Sequence, residues 1–361
     1  MRFTGYALLL LAAGCSSGTC RRIAGAAPEP VNRAPSAPST PSATAPAVDD
    51  GAEERLLEAI EPLRHGRRTL LIDPPGDEEE PAFQAWIAAA ARAARDGGVP
   101  PAAPAGFQIT EVRGERVWLL AERKRRRGAG AVLLRVGPAA PLLVEAPHTF
   151  FDQGTLPLAL SVFAAQRARA LLINTAHRYA GGPRPEGGDE EAEGAGGSGG
   201  AGGGEGAGGS GGAGGTAAQR KLVPLPAQDV AHAERSFFLA AHRGLLEAFP
   251  GAPTAQIHGF QDRSAPDIAV IVSAVGPGAD LAALLAGLRE ALPDDTVRGY
   301  PDEIRKLGGE SNLQARASVL AGAPFYHLEL SRSLRDWLVE DATLRRRVAA
   351  ALSPRGAKPA P

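Results

Sequence analysis

Two hydrophobic periodicities alternate along the chain between residues 54 and 352. Apolar residues spaced three to four positions apart predict helices over residues 54–63, 81–95, 155–168, 229–249, 280–291 and 332–352. Short apolar or alternating runs predict strands within residues 106–120 and 131–145, which we expect to form hairpins, and at 170–175, 255–258, 267–274 and 325–330. This interleaving predicts an α/β fold, with one mixed β-sheet flanked by helices.

The N-terminus carries a targeting pattern. Arg2 precedes an apolar run over residues 6–13, which is too short to span a bilayer that needs about 20 apolar residues. The run ends in Leu-Ala-Ala-Gly-Cys at Cys15, which resembles the lipobox of bacterial lipoproteins, where the cysteine is acylated. We therefore expect a lipoprotein signal peptide over residues 1–14, and a lipid on Cys15 that anchors the exported protein to the cell envelope, at the outer membrane or the periplasmic face. An ordinary secretory signal cut near Ala13 is the alternative, and it also exports the protein.

Low-complexity composition marks the segments that we expect to stay outside the folded domain. Residues 15–50 are rich in Ala, Pro and Ser and predict an extended tether, and residues 354–361 predict a disordered tail. Residues 181–218 are dominated by glycine and predict a flexible insert within a single domain over residues 51–353. No cysteine follows Cys20, so a metal in this domain must bind to nitrogen and oxygen.

The charge balance argues against nucleic acid as a partner. The 361 residues carry a formal net charge of -1, so the chain lacks the broad positive field that a phosphate backbone requires. A basic cluster at residues 123–127 lies between two predicted strands, and we interpret it as a solvated hairpin tip.

Polar and titratable residues occur at or near the ends of four predicted strands. They include His148, which follows an apolar run, the segment Asn174 to Arg178, then His258, and finally Glu329 with His327. In open α/β sheets, ligands bind outside the carboxyl ends of the strands, so these groups are expected to converge on one pocket.

The residue types suit a hydrolytic zinc site. Such a site needs about three protein ligands, commonly two imidazoles and a carboxylate, with a position open for water. His148 and Asp152 lie four residues apart on a predicted turn, and His258 enters from a second strand. We expect these three to bind Zn²⁺ and Glu329 to act as the general base that accepts the proton of the attacking water.

These residues resemble, in type and order, the zinc carboxypeptidase superfamily in its broad sense, which includes succinylglutamate desuccinylases, N-formylglutamate amidohydrolases and poly-γ-glutamate hydrolases. In that group a histidine with a nearby carboxylate comes first, a second metal-binding histidine follows, and a catalytic glutamate lies on a late strand. The resemblance covers roughly residues 142–338 and implies a zinc carboxypeptidase-like or phosphorylase/hydrolase-like single domain. The first motif here is His-x-x-x-Asp instead of His-x-x-Glu, and no adjacent Asn-Arg pair occurs. Both departures favour the amidohydrolase and desuccinylase side of the group.

The resemblance also implies arginine and asparagine side chains that position a substrate carboxylate or carbonyl. The candidates lie in two segments and are Asn174, His177, Arg178, Asn312, Gln314 and Arg316. His177 either lines the pocket or supports the metal ligands.

Other roles remain open for several residues. Glu145 competes with Asp152 as a metal ligand, although its position favours a strand-edge charge, and Glu329 could instead pair with Arg332 or Arg335. His232 is expected to cap or pack a helix beside a capping Asp229, and it could also border the pocket. His65 and His242 are interpreted as surface residues. His327 shares a strand face with Glu329 and could line the site.

The sequence therefore predicts an exported zinc hydrolase of amide bonds. Its reachable substrates would be peptides, peptidoglycan fragments or N-acyl amino acids. The alternative is a non-catalytic envelope lipoprotein that uses the same fold for binding or for a structural role.

Overall fold

Nine strands join in one mixed sheet in the computed structural model, which describes residues 51–64, 73–123, 127–180 and 229–352. The strands are β1 (Phe107–Glu111), β2 (Val117–Glu122), β3 (Ala131–Arg135), β4 (Ala140–Ala146), β5 (Ala168–Ile173), β6 (Thr254–Phe260), β7 (Val270–Val275), β8 (Val297–Gly299) and β9 (Phe325–Ser331). Their order across the sheet is β1-β2-β3-β5-β4-β6-β9-β7-β8. The expected signal peptide, tether, glycine-rich insert and tail lie outside the described residues, as do Cys15 and His65.

The centre of the sheet is parallel and its flanks are antiparallel. β5, β4, β6 and β9 run in the same direction, while β1, β2 and β3 form an antiparallel meander that joins β5. On the other side β7 is antiparallel to β9, and β8 is parallel to β7. The last strand before the glycine-rich segment, β5, and the first strand after it, β6, lie on either side of β4, which pairs with both.

Eight α-helices cover the two faces: α1 (Ala52–Ile60), α2 (Glu79–Arg95), α3 (Thr155–Ala165), α4 (Phe237–Ala248), α5 (Leu281–Ala291), α6 (Leu313–Leu320), α7 (Arg332–Glu340) and α8 (Ala342–Ala351). Successive residues of a strand point to opposite faces, so Leu171 of β5 packs in the core with α1, α3, α5, α7 and α8, and Leu172 packs in the core with α2 and α4. This explains why the central strands are apolar on both sides. None of the described helices has the length and apolar character to cross a bilayer.

The fold agrees with the predicted class, and most predicted elements are present. The hairpin expected within residues 131–145 is wrong, because β5 lies between β3 and β4 in the sheet. Residues 229–236 form a turn instead of the start of α4. Ser236 caps that helix by accepting a hydrogen bond from the Leu239 amide. The predicted last helix is divided at Asp341, whose carboxylate caps α8. β8 and α6 were not predicted, since three residues of strand and one short helix leave little periodic signal.

Candidate metal and catalytic site

The site lies at the carboxyl ends of the parallel strands. The turn after β4 brings His148 and Asp152 to one side, because the amide of Asp152 donates to the His148 carbonyl at 2.7 Å. His258 enters from β6, and the strand register places it opposite Glu329 of β9. All four side chains are buried. The sheet topology therefore brings together residues that are far apart in the chain, as their positions at the strand ends predicted.

Asp152 faces both imidazoles. Its Oδ2 atom lies 3.5 Å from His148 Nδ1 and 3.7 Å from His258 Nδ1. The two imidazole rings are 4.9 Å apart between centroids and nearly perpendicular. Potential ligand atoms of the three residues all lie within 4.8 Å of one another. This is an arrangement in which one small cation can contact all three side chains.

The remaining ring nitrogens hold the histidines in a metal-binding orientation. His148 Nε2 lies 3.1 Å from the Asp229 carboxylate, and His258 Nε2 lies 2.7 Å from Gln256 Oε1. Both partners are oxygen acceptors, so each Nε2 carries the proton and each Nδ1 presents a lone pair toward Asp152. His148 Nδ1 is buried without a hydrogen-bond partner. A divalent cation would satisfy that atom, and two imidazoles with a carboxylate and no thiolate suit zinc.

The electrostatics of the cluster favour neutral imidazole at His258 and carboxylate at Asp152. Burial, aided by nearby His148, lowers the pKa of His258 to about 4. Burial alone would raise the pKa of Asp152, but its contacts with His148 and His258 outweigh this and hold the pKa below its usual range. The pKa of His148 is raised, because the carboxylates of Asp152 and Asp229 outweigh the opposite effect of burial.

Glu329 supplies a second carboxyl group beside the cluster. Its Oε2 atom is buried without a hydrogen-bond partner, and its Oε1 atom lies 3.7 Å from His327 Nε2. Burial, followed by the negative charge of Asp152, raises the pKa of Glu329 well above its ordinary value. The His327 ring lies 4.6 Å from that of His258 between centroids, so His327 does line the site. Glu329 and His327 thus form with His258 a second group of potential ligands.

The arginines considered as alternative partners of Glu329 make other contacts. Arg332 binds Asp336 on the same helix, with Nε–Oδ distances of 2.9 and 3.0 Å. The buried Arg335 donates to main-chain carbonyls of Gln153, Phe260 and Leu330. Arg335 therefore ties together the turn after β4 and the ends of β6 and β9.

This guanidinium also explains the glycine that follows His258. A Cβ atom on Gly259 would collide with the Arg335 guanidinium. Gly259 therefore makes room for Arg335.

Six residues were predicted to bind substrate, and the cavity beside the metal cluster contains two of them. This cavity has a volume of about 460 Å³ and is lined by His148, His258 and Glu329 together with Arg178 and Asn312. Arg178 donates to Asp229 Oδ2 at 2.8 Å, and its guanidinium lies over the rings of Phe151 and Tyr179. Asn312 caps α6 and donates to Gln256 Oε1.

The other four predicted substrate residues lie outside that cavity. Asn174 is fully buried, and its side chain accepts a hydrogen bond from the Ala176 amide. His177 Nδ1 accepts from the Tyr179 amide. Gln314 is buried and donates to the Val230 carbonyl, and Arg316 is exposed and lines other cavities.

No protein-family model matches the sequence, and no curated protein matches it. Among solved structures, the chain is similar to N-formylglutamate amidohydrolase from Ralstonia eutropha JMP134, with 14% identity, 62% of this chain and 95% of that chain covered, and a TM-score of 0.32. It is also similar to a bacteriophage poly-gamma-glutamate hydrolase, with 12% identity, 67% and 88% covered, and a TM-score of 0.29. A gene product of Agrobacterium tumefaciens gives 11% identity, 60% and 87% covered, and a TM-score of 0.36.

Asp229 is the main residue that the sequence did not assign to the site. It was expected only as a helix cap, but its carboxylate contacts His148 Nε2 and binds Arg178, and His232 Nδ1 lies 3.0 Å from it. Contact with these groups lowers the pKa of Asp229 far below its usual value, although burial acts in the other direction. His232 borders the cavity, which is one of the roles left open for it by the sequence.

Two predictions of exposed residues are wrong. Glu145 is not a strand-edge charge and His242 is not a surface residue, because both are fully buried and hydrogen-bonded to each other at 2.7 Å. Each supplies the partner that makes burial of the other tolerable. Glu145 is also not a rival ligand in the His148 cluster, since its second oxygen accepts from Gln256.

Two cations on the cavity wall were also missed. Arg305 and Lys306 lie in the segment between β8 and α6, and both line the cavity. Lys306 Nζ donates to the Ser264 carbonyl. This segment has no apolar periodicity, so the sequence gave no signal that it would reach the site.

Proposed function

We propose that this protein is a zinc-dependent hydrolase of amide bonds. The supporting observation is the convergence of two buried Nδ1 atoms on Asp152, with each Nε2 atom engaged by an acceptor oxygen. His148, Asp152 and His258 would hold the ion. Bound zinc supplies Lewis acidity, which lowers the pKa of water and polarises a carbonyl oxygen.

In this proposal Glu329 transfers a proton from the attacking water to the amide nitrogen of the substrate. Its unpartnered Oε2 atom accepts a proton from the attacking water as the water adds to the amide carbon. Glu329 then donates that proton to the amide nitrogen as the C–N bond breaks, which leaves a carboxylic acid and an amine. Glu329 lines the same cavity as His148 and His258, so a water molecule in that cavity can reach its carboxyl group.

The cavity favours a substrate that carries negative charge. Arg178, Arg305 and Lys306 line it together with the metal cluster, and the Arg305 side chain is exposed on its rim. Asn312 contributes an amide near the same cavity. Peptides, peptidoglycan fragments and N-acyl amino acids carry carboxylates that these cations can bind.

We further propose that the enzyme acts outside the cytoplasm. The apolar run before Cys15 supports export and lipid anchoring to the bacterial envelope. The substrates would then be molecules of the envelope or of the surroundings.

Zinc content and turnover test this proposal together. The purified full chain is expected to hold about one zinc per chain and to hydrolyse at least one member of a panel of peptides and N-acyl amino acids. His258→Ala should lose most of the zinc. Glu329→Gln should keep it and lose about a hundredfold to ten-thousandfold in rate, as expected for removal of a general base.

The matched control is Glu340→Gln, which makes the same change at an exposed position on α7 and should leave the rate unchanged. A well-folded wild-type protein without zinc affinity would contradict the proposal and favour a binding or structural role. Zinc binding with an unchanged rate in Glu329→Gln would show that Glu329 is not the base.

A further inference from the structure

A chain of buried polar side chains extends from His258 away from the cavity. It contains Gln256 of β6, Glu145 of β4, His242 of α4 and Ser318 of α6, all fully buried. Gln256 Oε1 lies 2.7 Å from His258 Nε2, and Gln256 Nε2 donates to Glu145 Oε2 at 2.8 Å. Glu145 Oε1 is 2.7 Å from His242 Nδ1, and His242 Nε2 is 3.1 Å from the Ser318 hydroxyl.

Glu145 sets the direction of the hydrogen bonds on either side of it. A carboxylate only accepts, so the NH₂ group of Gln256 must face it and the carbonyl oxygen of Gln256 must face His258. For the same reason His242 donates to Glu145 from Nδ1. Two neighbours reinforce this orientation of Gln256, since Asn312 donates to its oxygen and Gln314 Oε1 lies 3.4 Å from its nitrogen.

The consequence reaches the metal cluster. An acceptor at 2.7 Å keeps the proton of His258 on Nε2, so the lone pair remains on Nδ1, the atom that lies 3.7 Å from Asp152. In the opposite tautomer, Nδ1 would carry a proton and could not bind a cation. Burying a carboxylate and an imidazole costs free energy that an apolar pair in the same place would avoid.

We infer that Gln256, oriented by the Glu145–His242 pair, fixes the tautomer of His258 and thereby prepares it to bind the metal. Gln256 and Glu145 are positioning residues that act through His258. This inference rests on the proposed zinc site, but the tautomer itself can be measured without metal.

Long-range ¹H–¹⁵N NMR of the metal-free full chain tests the first step. The expected spectrum shows His258 neutral and protonated on Nε2. A proton on Nδ1, or an even mixture of the two tautomers, would overturn the inference. This measurement needs no substitution, so it decides the matter even if a variant fails to fold.

Gln256→Met tests the effect on the metal. Methionine is similar in size but offers His258 no comparable acceptor, so both tautomers become accessible and zinc affinity should fall about tenfold to a hundredfold. The matched control is Gln166→Met, since the Gln166 amide also donates hydrogen bonds, but to main-chain carbonyls of α8 and from the end of α3. Equal zinc affinity in wild type and Gln256→Met, measured by competition with a chromophoric chelator, would contradict the inference.

Glu145→Gln tests whether the effect is relayed. Its amide can present either oxygen or NH₂ to Gln256, so the tautomer preference and the zinc affinity should both weaken. Glu115→Gln is the control, because Glu115 is half-buried and hydrogen-bonded to Arg55 instead.

If wild type binds no zinc but shows the expected tautomer of His258, and Gln256→Met loses that tautomer preference, the zinc proposal fails while the positioning role stands. If wild type binds zinc and neither variant changes tautomer or affinity, the positioning role fails alone.

Discussion

Both candidate histidine ligands face Asp152 through Nδ1, and each has an oxygen acceptor at Nε2. The three candidate ligands could be expected from the sequence to lie together, because His148, Asp152 and His258 lie at or near the ends of apolar strands in a parallel sheet. The acceptors of the two histidines could not be predicted. Asp229 lies 81 residues from His148 in the chain, and a lone acidic residue before a helix ordinarily indicates a cap.

Buried polar pairs are equally hidden at the residue scale. A glutamate near the end of a strand or a histidine in a helix is usually exposed, so the sequence indicated two surface residues where the structure has the Glu145–His242 contact. Only the three-dimensional pairing of α4 with the sheet reveals that each has a partner.

Arg335 is expected to stabilise the fold around the site. Arg335→Met removes hydrogen bonds to three main-chain carbonyls at the ends of the site strands and leaves those carbonyls buried. Because hydrogen bonds from charged groups contribute about 1.5–3 kcal/mol each, we expect the free energy of unfolding to fall by roughly 3–5 kcal/mol in urea titrations. Arg332→Met, which removes an ion pair with Asp336 at the surface, should cost less than about 1 kcal/mol. Equal effects of the two substitutions would show that Arg335 does not hold these loops.

At the scale of elements, periodicity predicted the central strands and most helices, because long amphipathic or apolar runs leave a strong signal. It failed where a local hydrogen bond decides the boundary. Ser236 starts α4 later than the apolar pattern suggests, and Asp341 ends the preceding helix and begins α8. The turn at residues 229–236 that results from the first of these boundaries carries Asp229 into the site.

Asp341 is therefore expected to stabilise α8 measurably. Its carboxylate accepts from the amides of Thr343 and Leu344 at 2.8 and 2.9 Å. Asp341→Ala should lower the free energy of unfolding by about 1 kcal/mol, the usual contribution of an N-cap. Glu340→Ala, one residue earlier and exposed, is the control and should change it by less than half as much. A loss no larger than that of the control would contradict the capping role.

At the scale of the whole molecule, the sequence predicted one α/β sheet domain, and the described residues form it. The strands directly before and after the glycine-rich segment, β5 and β6, both pair with β4. This pairing shows how a long insertion can leave the sheet intact. Export and anchoring rest on residues 1–50 and stay predictions of the sequence.

Anchoring through Cys15 can be tested by fractionation. Lipid-bearing wild-type protein should sediment with membranes, and Cys15→Ser should move most of it to the soluble fraction, because the acyl chains supply the membrane affinity. Cys20→Ser should behave as wild type. If Cys15→Ser still sediments with membranes, the anchor is not a lipid on this cysteine.

We propose that one zinc ion binds between His148, Asp152 and His258. Anomalous scattering from crystals of the zinc-loaded full chain, recorded on both sides of the zinc absorption edge, locates the ion directly. We expect a single strong peak about 2.0–2.2 Å from Nδ1 of both histidines and from an Asp152 oxygen. A peak at other residues, or contacts made through either Nε2 atom, would contradict it.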